Sequence, residues 1–426
     1  MNHRMNRRHA LCCSAALAAG LFTSLTTPAR AFTLSEGLRN PCRGALPREL
    51  AQHDLVLAAF EGIDASALWD AHCHLLGNGD AGSGCTINAN MHEWWRPAEV
   101  LRRRMIMNAA CVPDDAASVD RAYVERLVAL SADFPEGARW LLFAFDHACD
   151  EQGKPRADWT TFHVPNAYAA HIAAEHPARF MWVASVHPYR EDAVTQLDDA
   201  LQGGAVALKW LPSAMNIDLR DARCRAIYER LAATGVPLIV HCGEEKAVAG
   251  AGRHELGNPL LVRVALQHGV RVIVAHAASL GTASDLDQPS QPLRAAFDLW
   301  ARLMDEPDAK GLLYGDVSAL FQSNRRSDVW RAVLTREDWH ARLLHGSDYP
   351  LPGVMPLYAP ARMAQEGFIG ADAVEPLRRI REHNPLLFDF VLKRHLRAGQ
   401  SRLHKSVFET KRMFAPNRAA GTAHRS

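Results

Sequence analysis

From residue 138 onward the chain repeats one pattern: a short apolar run ends in a polar residue, and a helix-like amphipathic stretch follows. The runs lie at 140–145, 180–186, 205–210, 236–240, 270–275, 311–317 and 342–345. Amphipathic stretches fall between them, at 193–201, 221–234, 259–268 and 292–304. Gly235 and Gly269 stand just ahead of two of the runs, where a helix must stop before a strand begins. Near-continuous apolar strands alternating with helices imply an α/β fold with a parallel sheet covered by helices. A further strand at 67–70 brings the count to eight, which predicts a (β/α)8 TIM barrel. No G-x-G-x-x-G follows any run, which argues against a dinucleotide-binding sheet. The chain has 426 residues, long for one core but within reach of a barrel with insertions. The main insertion, 75–134, follows strand 1 and carries helical patches at 97–107 and 118–132.

The two ends differ from this body. The first 35 residues contain no acid; Arg4, Arg7 and Arg8 precede an apolar run, and Ala29-Arg30-Ala31 follows it. This reads as a signal peptide over 1–31, twin-arginine-like and cut after Ala31. It predicts a periplasmic or secreted protein with no stable membrane insertion once the leader is removed. The barrel then occupies 32–400 and a basic tail 401–426. From Lys393 to the end, nine Lys and Arg face only Glu409, which reads as a short surface-bound tail. The net charge of +1 gives no reason to expect a nucleic acid partner. A small-molecule substrate is the expected partner, and the sequence leaves room for a homo-oligomer. Seven cysteines follow the leader, and none is in a C-x-x-C pair, so a cysteine-based zinc site is not expected. A Cys42–Cys85 bridge is one pairing that an oxidising compartment allows.

The polar residues that close the runs carry the chemistry. Asp70-Ala71-His72-Cys73-His74 places two imidazoles on one side of a strand, with Cys73 facing away. Such a pair can bite one metal ion, although with 21 histidines roughly one H-x-H arises by chance. Lys209, His241, His276 and Asp316 close successive runs, and Asp348 follows the last one. In a barrel all of these converge on the mouth formed by the C-terminal strand ends. Asp146, His147, His187, Glu244, Glu245 and Asp316 also fall at strand ends, where loop-capping or solvated roles are the ordinary expectation. Trp94-Trp95, in the insertion, would cover the mouth or simply pack the insertion. Met105 and Met107, at helical spacing, read as core.

The residues Asp70-Ala71-His72-Cys73-His74, Val240-His241, Ala275-His276, His345-Gly346-Ser347-Asp348-Tyr349-Pro350 and Asn384-Pro385 resemble those of the amidohydrolase-related family, over roughly residues 67–396. That branch of the amidohydrolase superfamily also contains metal-dependent decarboxylases. The resemblance implies His72, His74, His241 and Asp348 as ligands of one divalent ion, with zinc expected. It implies Asp348 as proton acceptor as well, and His276 as the group that meets the substrate oxygen or the attacking water. Lys209 stands where some superfamily members carboxylate a lysine to bridge two metals; in this branch it is expected to bind an anionic substrate group. Hydrolysis of a C–O or C–N bond is the expected reaction. Non-oxidative decarboxylation of an aromatic or enol acid is the alternative, and a non-catalytic metal-binding barrel the third reading.

Overall fold

The structure is a computed structural model that describes residues 37–113 and 115–414. The expected signal peptide and the last twelve residues of the basic tail lie outside the described residues.

Eight parallel strands form the centre: β1 (Trp69–His74), β2 (Arg139–Phe143), β3 (Phe180–Val183), β4 (Leu208–Trp210), β5 (Leu238–His241), β6 (Val272–Ala275), β7 (Leu313–Asp316) and β8 (Leu343–Leu344). β1, β2 and β3 make one hydrogen-bonded run, and β4 to β8 make a second, in sequence order. The runs meet at both edges. Ala184 bridges Leu208 beside β3 and β4, and Cys73 in β1 bridges Tyr349 beyond β8. Backbone bonds run from Ala184 N to Ala207 O (2.9 Å), and from Asp348 N to His72 O (2.7 Å). The cyclic order and the helices on the outside are those of the expected TIM barrel.

β1 departs from its expected span of 67–70. It starts two residues later and continues through both histidines, because its polar side chains find partners inside the sheet. Asp70 Oδ1 accepts from His72 N (3.0 Å) and Ser347 N (2.9 Å), so a buried carboxylate ties β1 to the turn after β8. Two helix expectations also change. Of the stretch at 292–304, Leu293–Ala295 pairs antiparallel with Thr282–Ser284, and only Ala296–Asp305 is helical. The stretch at 259–268 opens as a 3-10 turn, Pro259–Val262, that Asn258 caps from Leu260 N, and becomes an α-helix only over Arg263–Gln267.

Below the mouth the barrel is filled by inward-facing apolar residues, among them Trp69, Leu141, Phe143, Val183, Ile239, Ile273 and Leu344. Met413 and Phe414 complete this cluster, so the expected surface-bound tail is corrected up to Phe414: it is part of the core. The tail forms a hairpin, Arg397–Ala398 with Ser401–Arg402, and then buries Val407, Phe408 and Thr410. Its positive charge masked this at the sequence level. Arg412 donates to the carbonyls of Ser406, Glu409 and Ala341, and the Arg394 guanidinium lies 5.2 Å above the Phe408 ring. Arg394 is half-buried, and Arg412 stays exposed while it ties the tail's own carbonyls and that of Ala341 together.

The insertion after β1 is held by acids and by a disulfide. Asp120 accepts from the backbone of Asn78, Gly79 and Ala81, and Ser118 caps the helix Val119–Ser131. The disulfide joins Cys42 to Cys111, at the end of the helix Pro97–Ala109, and not to Cys85, which is a buried free thiol. Spacing alone could not choose between these partners, since the fold decides which thiols meet. Among the described residues no helix is long and apolar enough to cross a membrane.

Candidate metal centre and substrate pocket

Five of the expected site residues meet at the barrel mouth. His72 and His74 come from β1, His241 ends β5, and His276 follows β6 directly. Asp348 arrives from the turn after β8, whose Gly346 is required by space: a Cβ there would sit 2.6 Å from the His72 Cβ. Lys393 Nζ, fully buried, donates to Gly346 O (2.7 Å) and pairs with Asp389, which fixes the same turn from behind. His276 and Asp348 both have left-handed backbones, with φ of 56° and 58°. That region is costly for residues with a Cβ and persists only where the surroundings hold it. Here His276 N donates to Asp316 Oδ1 (2.9 Å), and Asp348 N to the His72 carbonyl (2.7 Å).

Three imidazoles share one arrangement, with Nδ1 engaged by a neighbour and Nε2 left over. His72 Nδ1 lies 2.9 Å from Asp316 Oδ2, His276 Nδ1 lies 3.0 Å from Ser318 O, and His241 Nδ1 lies 3.3 Å from Glu245 Oε2. On the other side, His72 Nε2 is 3.4 Å from Asp348 Oδ1, and His276 Nε2 is 3.9 Å from Asp348 Oδ2. His74 Nε2 is 3.0 Å from Asp348 Oδ1. His241 Nε2 is buried and meets no hydrogen-bond partner among the described residues.

This donor set fits a divalent cation. Ligand atoms of His72, His276 and Asp348 all lie within 4.8 Å of one another. The orphaned His241 Nε2 is the kind of buried group a metal satisfies, and anchored Nδ1 atoms are the usual support of metal-binding imidazoles. Burial holds the His72 and His276 imidazoles well below the usual histidine range, and His241 below it. They are therefore neutral near pH 7, the form that ligates. His276, expected on the substrate side, stands as near to Asp348 as a ligand would.

Lys209, from β4, is 1% exposed and lines the same pocket. Its ammonium lies 5.2 Å from the centre of the Phe143 ring. Burial lowers its pKa to about 8, against the opposing pull of Asp316, Asp348 and Glu245. The pocket that these residues line is walled by Leu75, Leu76, Phe143, Phe145, Phe162, Val164 and Leu211.

Asp316 and Glu245, expected as loop or surface acids, instead brace imidazoles. Asp316 is fully buried and also accepts from Ser318 N (3.0 Å) and Ser318 Oγ. Its place about one βα unit beyond His276 was the available sequence signal. Glu244 lines the pocket, in an ion pair with Lys246. Asp146, His147 and His187 do not line it. Asp146 accepts from the backbone of His147 and His187, and His187 Nε2 donates to Met215 O (2.8 Å). Trp94 and Trp95 are 81% and 60% exposed and pack edge to face away from the pocket; Ile106 is the insertion helix's contribution to the lining. Met107 is core, as expected, and Met105 packs against it. Asn384 caps the helix Pro385–His395 and has a structural role. Gln322 and Arg325, which also line the pocket, lie in an irregular loop with no periodicity to reveal them.

A family model described as amidohydrolase matches residues 69–386. No curated relative matches the chain. Among solved structures, the chain is similar to an uncharacterized TIM-barrel protein of Bordetella bronchiseptica, at 16% identity and a TM-score of 0.44, covering 72% of this chain and 94% of that one. It is also similar to a 5-carboxyvanillate decarboxylase of Novosphingobium aromaticivorans, solved with manganese, at 11% identity and a TM-score of 0.41, covering 78% and 93%. A third is 4-oxalomesaconate hydratase of Rhodopseudomonas palustris, at 13% identity and a TM-score of 0.37, covering 75% and 97%. At such distances the likeness singles out no reaction. The family match spans three quarters of the chain and includes every residue of the mouth, and on that match the chain belongs to the amidohydrolase family.

Proposed function

We propose that the protein is a metal-dependent hydrolase acting on a C–O or C–N bond of a small organic substrate. The observation that carries this reading is the convergence of His72, His276 and Asp348, with His74 and His241 beside them and each of the three anchored imidazoles presenting Nε2. These residues would hold one divalent ion, zinc being the expected one. When bound, such an ion supplies Lewis acidity and lowers the pKa of a water molecule. Asp348 has carboxylate oxygens among three imidazoles and is the group placed to accept a proton and return it to the leaving group. Lys209, still largely protonated near neutral pH, neutralises charge that develops on the substrate. The apolar wall limits water around the reacting bond.

Decarboxylation of an aromatic acid is the second reading. The phenyl rings of Phe143, Phe145 and Phe162 in the pocket wall, with the buried Lys209 ammonium against the first of them, favour it. Export to an oxidising compartment remains part of the proposal, and the Cys42–Cys111 disulfide supports it.

A turnover screen of lactones, esters, amides and aromatic acids tests the reaction. Release of an acid with an alcohol or amine is the expected result; release of carbon dioxide would select the second reading. The Asp348→Asn variant should lose about 100- to 10,000-fold in turnover of whichever substrate is found. Turnover at the parent rate would refute the role given to Asp348.

A further inference from the structure

Two further polar residues of the pocket lining belong neither to the imidazole set nor to the acids that brace it. Gln322 and Arg325 lie in the loop between β7 and the helix Ser327–Thr335, and both line the pocket. The loop is held firmly: Ser323 donates its N to Leu357 O (2.7 Å) and its Oγ to Pro356 O (2.9 Å), and Arg362 donates to its carbonyl (2.8 Å).

Within this rigid loop two donors are unspent. Gln322 is 2% exposed, and its amide nitrogen is buried with no hydrogen-bond partner among the described residues. Arg325 is 8% exposed; its Nε donates to Ser279 Oγ (3.1 Å) and its Nη1 to Asn324 Oδ1 (2.9 Å). Both partners are neutral. Among the described residues, no carboxylate lies within ion-pair distance of its guanidinium, and Nη2 makes no hydrogen bond. Asp348, Glu244 and Glu245 act on it only through longer-range fields, and Glu244 is already paired with Lys246. A buried guanidinium without a counter-ion and a buried amide without an acceptor are both costly, and both costs vanish when one carboxylate accepts from the two. The same pocket has an apolar wall, with Phe145 and Phe162 among its members.

We propose that Gln322 and Arg325 form a carboxylate subsite, so that the substrate is a small carboxylic acid with a planar apolar body, its reacting group directed to His72, His276 and Asp348. This substrate class rests on the hydrolase reading for its reacting end, while the subsite itself does not need the metal. It differs from the anion role expected of Lys209, which comes from β4.

The test is calorimetric titration of the full protein with benzoate and with its neutral counterpart, benzamide. Benzoate should bind at least about 10-fold more tightly than benzamide, and Arg325→Met should weaken benzoate by about 10- to 100-fold while leaving benzamide nearly unchanged. Gln322→Leu, which retains more of the loop's packing, should weaken benzoate by several-fold, roughly the loss of one donor to a charged group. Equal binding of the two probes by the parent protein would overturn the subsite. So would parent-like benzoate binding in Arg325→Met, or a loss confined to Lys209→Met. Metal content measured on the same samples separates the two claims. A metal-free protein that still discriminates benzoate through Arg325 would sink the hydrolase reading and keep the subsite. A metal-loaded protein indifferent to Arg325→Met would do the reverse.

Discussion

The two halves of the barrel interior solve opposite problems. The lower half is packed with Trp69, Leu141, Val183, Ile239, Ile273 and Leu344 and closed by Met413 and Phe414. It needs nothing from outside. The mouth, at the ends of the same strands and in the loops that follow them, holds three neutral imidazoles, the Asp348 carboxylate, a buried lysine and the unspent donors of Gln322 and Arg325. It also holds two residues in left-handed backbone. Stability is therefore concentrated in the floor. The mouth keeps polar groups that only a bound ion and substrate would fully satisfy.

The largest way to break this contrast is the Asp348→Asn change described above, which should remove activity by orders of magnitude while leaving the melting temperature nearly unchanged. A smaller effect on function comes from the brace behind the imidazoles. Asp316 holds His72 Nδ1 and the backbone of His276 at once, so Asp316→Asn should weaken divalent-ion affinity by about 10- to 100-fold, read by titration with a chelating indicator. The mirror experiment is in the floor. Phe414→Ala should cost about 3–5 kcal/mol of stability, seen as an earlier thermal transition, with the turnover of the folded protein intact. Equal loss of activity and stability in both variants would mean that floor and mouth are one cooperative unit.

The same contrast explains what was legible in the sequence. Strands β2 to β8 were visible because their interiors are apolar and their ends polar. The mouth was visible because Lys209, His241, His276 and Asp316 recur once per βα unit. What lay outside that rhythm was hidden. Whether Asp316 and Glu245 face solvent or an imidazole depends on χ angles and on strands distant in sequence. Gln322 and Arg325 sit in a loop whose shape is set by contacts with the loop around Leu357. The tail looked like a solvated arm because its nine Lys and Arg face a single acid, Glu409. Yet Val407, Phe408, Met413 and Phe414 are enough to dock it. Cys42 found Cys111 because the N-terminal segment passes the end of one insertion helix, which no spacing rule encodes.

One divalent ion, held through imidazole Nε2 atoms and Asp348, would satisfy the polar groups of the mouth. Elemental analysis of the purified parent protein and of His276→Asn tests it directly. About one divalent ion per chain is expected in the parent and a marked loss in His276→Asn, because His276 stands with His72 and Asp348 in the candidate ligand set. Full retention in His276→Asn would return that imidazole to the substrate side, with His74 and His241 as the ligands. A parent protein that takes up no divalent ion, even when one is supplied, would contradict a metal centre at this mouth.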